Sequence, residues 1–154
     1  MSETPSDALD ALQAALAAEH AAIYGYGVVG GRIDEELRTQ ARAGHDAHRA
    51  KRDALAKEVR GLEAEPVAAE AGYALPFEVP DHAAAVRLAV ELEDRLAGAY
   101  ADLVRAADAE LRAAAAQGLR EAAVRAARWR GGSVAFPGLA EHTDTSAASG
   151  TPTA

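Results

Sequence analysis

The chain has no cysteine, which excludes a disulfide framework, thiolate metal sites and any cysteine nucleophile. Whatever chemistry it carries must come from histidine and carboxylate. Long apolar runs are missing too. Glu, Asp, Arg or His interrupts every alanine-rich stretch, and none approaches the ~20 residues a membrane-spanning helix needs. The short acidic stretch before Asp7 has no basic region, no apolar run and no small-residue cleavage site. No signal peptide is read there, and a cytoplasmic location is expected. Positive charge is in deficit, with a formal net charge of −8, which opposes phosphate backbones. The arginines between Arg120 and Arg130 share their stretch with Glu121 and an apolar helix face, so neither a nucleic-acid nor a membrane partner is expected.

At 154 residues the chain fits one domain with a real core. Proline punctuates it sparsely. Pro5 precedes the first periodic segment, Pro66, Pro76 and Pro80 crowd one connection, and Pro137 and Pro152 follow the last segment, leaving helix interiors free of proline. The pattern predicts a first helix from Asp7 to Val29, closed at Gly30-Gly31, and a second from near Asp34 to a stop at Pro66. Asp81 is a candidate N-cap for the third helix. A single helix from Asp81 to Arg130 would be ~75 Å long, so a break is required, and it is placed at Ala106 to Asp108 with Asp108 as the fourth N-cap. The connection Glu65 to Pro80 is long enough, at ~3.3 Å per residue, to cross the whole bundle, which makes the second and third helices parallel. The fold class is all-α, an up-down four-helix bundle over residues 7–140. Phe136 and Leu139 are expected to fold back on the bundle, and the polar stretch 141–154 reads as a disordered tail. No internal repeat is evident at this level.

Three ionisable residues fall on the core stripes of three helices. In the first helix Glu19 continues the line Leu9, Leu12, Leu16 toward Ile23 and Tyr26; in the second, His48 lies between Gly44 and Leu55; in the third, Glu93 lies on the line of Ala89, Leu96 and Tyr100. His45 sits one turn before His48 at the stripe's edge. Uncompensated charges in a low-dielectric interior cost several kcal/mol each, so these groups are expected to meet. Carboxylate with imidazole suits iron, manganese or zinc, giving Glu19, His45, His48 and Glu93 as candidate metal ligands. The other reading is a hydrogen-bonded network of Glu19, His48 and Glu93 with Arg52. Tyr24, Tyr26 and Tyr100 read as core residues whose hydroxyls cap the carboxylates, and Trp129 as a packing plug.

The Leu-x3-Leu-x2-Glu-His phrase of the first helix, His45-x2-His48 and the crossover resemble the ferritin-like superfamily. The phrases AALAAEHAAIYGYG, AHRAKRDAL, AARWR and AFPGL resemble a small alanine-rich bacterial ferritin-like family catalogued as a domain of unknown function. That resemblance implies a centre held by one Glu on each of two helices and Glu-x-x-His on each of the others. Glu19, Glu93 and His48 match; His45 stands where a glutamate belongs, and on the fourth helix Glu121 is followed three residues later by Val124. Two functions follow as expectations. One is a degenerate, non-catalytic bundle acting as an interaction or accessory protein, a homodimer through an alanine-rich helix face. The other is a metal-binding oxidase or metal-handling protein with an incomplete carboxylate-histidine centre.

Overall fold

The computed structural model describes residues 5–132 and 136–139, so the expectation for the tail 141–154 lies outside the described residues. Four helices follow one another: α1 (Pro5–Arg32), α2 (Glu35–Gly61), α3 (His82–Ala106) and α4 (Ala109–Arg130), with no strand among the described residues. None is long and apolar enough to cross a membrane. The break between α3 and α4 lies where chain length required it. Asp81 and Asp108 both act as N-caps, accepting from Ala84 N at 2.9 Å and Leu111 N at 3.4 Å, which satisfies otherwise orphaned helix donors.

Two boundaries differ from expectation. Gly30 and Gly31 do not close α1, which continues to Arg32 because neither glycine takes a left-handed backbone. The chain turns instead at Ile33-Asp34. Helix α2 ends at Gly61, ahead of Pro66, with Glu63 in the left-handed region. Gly131 closes α4 in that region, at φ 81°.

The crossover 62–81 tracks the length of α1. Gln13 donates to Glu65 O at 2.7 Å and accepts from Val67 N at 2.8 Å; His20 meets Val67 O at 3.0 Å; Tyr24 and Tyr73 rings lie 5.6 Å apart; and Asp34 N donates to His82 Nδ1 at 3.0 Å. This last bond puts the starts of α2 and α3 at one end of the bundle, so the two helices are parallel. Helix α1 packs on α2 and α3, and α3 on α4. Leu12, Leu16, Leu55, Val59, Leu96 and Leu103 fill one end of the core; Val29, Ile33, Leu88 and Trp129 fill the other.

The chain does contain an internal repeat, which the contacts reveal. A shift of 74 positions (93 − 19) superimposes Glu19 on Glu93, Tyr26 on Tyr100, Asp34 on Asp108, Gly44 on Gly118, and the phrase DEELR beginning at Asp34 on DAELR beginning at Asp108. Helix ends and starts shift by the same amount, Arg32 to Ala106 and Glu35 to Ala109. So do contacts. Ile33 N donates to Val29 O and Ala107 N to Leu103 O, both at 2.9 Å. A side chain at Gly44 would strike the Tyr26 ring, and one at Gly118 the Tyr100 ring. Helices α1–α2 and α3–α4 are two versions of one hairpin.

Beyond Gly132, the described residues 136–139 meet α3 at Gly138. Gly138, at φ 82°, lies so close to Ala97 O and Ala101 that a Cβ would clash. The Phe136 and Leu139 side chains are 51% and 40% exposed, and the backbone contact at Gly138 adds to the docking of this segment.

Candidate functional site

Glu19, His48 and Glu93 are fully buried and in mutual contact. His48 Nδ1 lies 2.7 Å from Glu19 Oε2 and His48 Nε2 2.8 Å from Glu93 Oε1. Ionised carboxylates only accept hydrogen bonds, so a ring bonded to two of them carries a proton on each nitrogen. Burial opposes that charge. The hydrogen bonds that His48 donates to Glu19 and Glu93, followed by their negative charges, outweigh it and push His48 from 6.5 up to about 9.

Tyrosine completes the arrangement, each time from the opposite hairpin. Tyr26 on α1 donates to Glu93 Oε1 on α3 at 2.6 Å, and Tyr100 on α3 donates to Glu19 Oε1 on α1 at 2.5 Å. Burial, then the neighbouring glutamate, raises both phenol pKa values far above the ordinary tyrosine range, so both remain donors. Trp129 Nε1 donates to Tyr26 Oη at 3.0 Å; this residue joins the network and is more than a plug. Arg125 Nε donates to Glu93 Oε1 at 3.0 Å. Each hairpin thus contributes one glutamate, one tyrosine and one cation: Glu19, Tyr26 and His48 from the first, Glu93, Tyr100 and Arg125 from the second. Two carboxylates face an imidazolium and a guanidinium, and the buried charge sums to zero, which offsets the desolvation cost.

Periodicity located Glu19, His48 and Glu93, and the structure brings them together. It does not bring in His45. Three helical positions turn the chain by ~300°, so with His48 at the centre of the buried face His45 lies off its edge, half-buried and 3.7 Å from the Asp46 carboxylate. Arg52 pairs with Asp53 on the surface, and Arg125 fills the part expected of it. Glu121 binds Lys51 across the α2–α4 boundary at 3.1 Å. Its pKa is lowered because the Gln117 and Lys51 hydrogen bonds together with nearby positive charge outweigh partial burial. Sequence reasoning missed Arg125, whose counterpart at the same shift is Lys51, a residue paired with Glu121 outside the network.

The same shift explains an orphan. Glu93 Oε2 is buried without a hydrogen-bond partner, whereas both oxygens of Glu19 are bonded. His48 serves Glu19 within the first hairpin, and its counterpart 74 positions on is Ala122, also fully buried. Glu93 lacks the donor because residue 122 has no polar side chain. Arg125, three residues later, reaches only Oε1.

These features define an all-α four-helix bundle built from a repeated hairpin around a buried, charge-balanced network. The model of the family described as a domain of unknown function, DUF4439, matches residues 11–141, and the chain belongs to that family. A conserved hypothetical protein, rv2844, from Mycobacterium tuberculosis has a similar crystal structure, with TM-score 0.81 and 36% sequence identity over 82% of this chain and 97% of that one. No curated protein matches the sequence.

Proposed function

We propose that the chain is a ferritin-like bundle that does without metal and works through its surface, as a non-catalytic interaction or accessory protein. The antiparallel hairpins, the crossover that makes α2 and α3 parallel, and the inward Glu19 and Glu93 support the kinship. A ferritin-like dinuclear centre needs two further glutamate-histidine pairs from the remaining helices. The residues here do not fit one. The observation that carries this reading is the commitment of both His48 nitrogens to carboxylates, at 2.7 and 2.8 Å, which leaves no lone pair for a metal. Arg125 adds a fixed cation to Glu93, where a dication would be repelled. Helix α4 offers Ala122 where α2 offers His48. Among the described residues no group of three or more histidines and carboxylates is arranged to hold a metal ion.

The test is the metal content of untagged protein exposed anaerobically to iron, manganese or zinc, by elemental mass spectrometry. The expected result is well below one metal per chain, for both the wild type and a folded Glu19→Gln variant. Near-stoichiometric metal that disappears in Glu19→Gln would sink the reading and establish a working metal-handling centre.

A further inference from the structure

The repeat supplies an internal control for the outer faces of α2 and α4, which occupy equivalent places in the two hairpins. On α2 the positions Arg42, His45, Asp46, Arg49 and Asp53 form an ordinary solvated, charged face. Their counterparts on α4, at the same shift, are Ala116, Leu119, Arg120, Ala123 and Ala127. Charge has been removed from three of the five positions on one copy of the same scaffold, and leucine replaces histidine at a fourth. Ala116 and Arg120 are exposed and Leu119, Ala123 and Ala127 half-buried, so the α4 face is apolar where its counterpart on α2 is charged.

This face lines a groove of about 350 Å³ between α3, α4 and Pro137. Val124 stands at its edge, 46% exposed. Pro137 lines the groove together with Ala116 and Arg120.

Charge decides what fits it. Arg120 lines the groove and Arg128 is exposed one turn beyond Val124, and neither has an ionic or hydrogen-bonded partner among the described residues. Arg130 is paired with Asp94 at 2.6 Å. In a chain whose net charge is −8, the apolar stripe is thus bordered by unneutralised positive charge. A second copy docking the same face about a twofold axis would bring two such arginine-bordered stripes together. A partner with the opposite border would not meet that repulsion.

We propose that the α4 face is a docking surface for an amphipathic helix of another protein, one with an apolar stripe flanked by carboxylates. The small side chains at Ala116, Ala123 and Ala127 admit a helix backbone closely, Val124 and Leu119 give it apolar contact, and Arg120 and Arg128 receive its carboxylates. This names the partner class for the surface-acting function proposed above and rests on that reading, but its test is independent of metal content.

The probe is a synthetic helical peptide with a leucine stripe and glutamate flanks, alongside an identical peptide with lysine flanks, titrated into the full chain and followed by fluorescence anisotropy. The expected result is saturable binding of the glutamate peptide and none of the lysine peptide. Arg120→Glu should weaken binding about tenfold, the scale of one charge-assisted contact, and Val124→Asp should abolish it. Both positions are exposed, so the variants should remain folded, as circular dichroism will check. Indifference to flank charge, or no binding of either peptide, would overturn the proposal. So would a wild-type dimer in light scattering that Val124→Asp converts to monomer, because the occupant would then be a second copy.

Discussion

The hairpins α1–α2 and α3–α4 share their turn, their tyrosine, their glutamate and the glycine that makes room for that tyrosine. They differ at the cation. In the first, His48 bonds its own Glu19 and reaches across to Glu93; in the second, Ala122 stands at that position and Arg125 acts from one turn further along. A repeated scaffold can therefore keep the charge balance of a buried site while changing which residue supplies the charge. A central imidazolium joins both carboxylates, whereas a long guanidinium entering from the edge neutralises only one.

The comparison breaks most severely at His48. His48→Ala should leave two buried carboxylates with Arg125 as their only cation, and lower stability by ~3–5 kcal/mol in urea denaturation. Arg125→Ala should cost less, because its side chain is 19% exposed and water can replace it. The wild type should show a matching pH dependence. The pKa of His48 is higher in the folded protein than in the unfolded chain, so its contribution is complete below about 6.5 and is lost as pH rises through about 9. Melting temperatures across that window should fall in the wild type and stay flatter in His48→Gln.

Tyrosine sharpens the comparison at a smaller scale. Tyr26→Phe and Tyr100→Phe each remove one hydroxyl donor, at ~1–2 kcal/mol. Tyr26→Phe should be the costlier of the two, because it also strands the Trp129 N–H. Paired thermal melts would show equal losses if that indole bond adds nothing. The smallest difference lies at the caps. Asp108 makes a side-chain bond to its helix and Asp34 makes none, so Asp108→Ala should cost ~0.5–1 kcal/mol and Asp34→Ala less, measured in the same melts.

Much of this was legible in the chain. Proline placement and the impossible length of one helix from Asp81 to Arg130 located the elements. The apolar period turned Glu19, His48 and Glu93 inward because spacing fixes the direction of Cβ. Arg125 escaped the same reasoning, since its Cα lies at the edge of a face and a long, flexible side chain carries the charge inward. The repeat escaped because its identities are scattered: apart from the shared ELR phrase after Asp34 and Asp108, each is a single letter several residues from the next. It becomes visible when contacts show Tyr26 and Tyr100 performing one task. His45 misled because neighbourhood in sequence was taken for a shared face.

The allocation of charge between the hairpins bears on assembly. Glu19 travels with His48 and Glu93 with Arg125, so each hairpin can bring a pre-neutralised pair to the docking event. The Tyr26 and Tyr100 hydroxyl bonds, the Trp129 bond to Tyr26 and the second arm of the His48 ring form as the halves close. The halves can thus approach and shed water as two locally neutral bodies, and the desolvation barrier that a buried four-charge cluster would impose is divided into two smaller ones met earlier, within each hairpin.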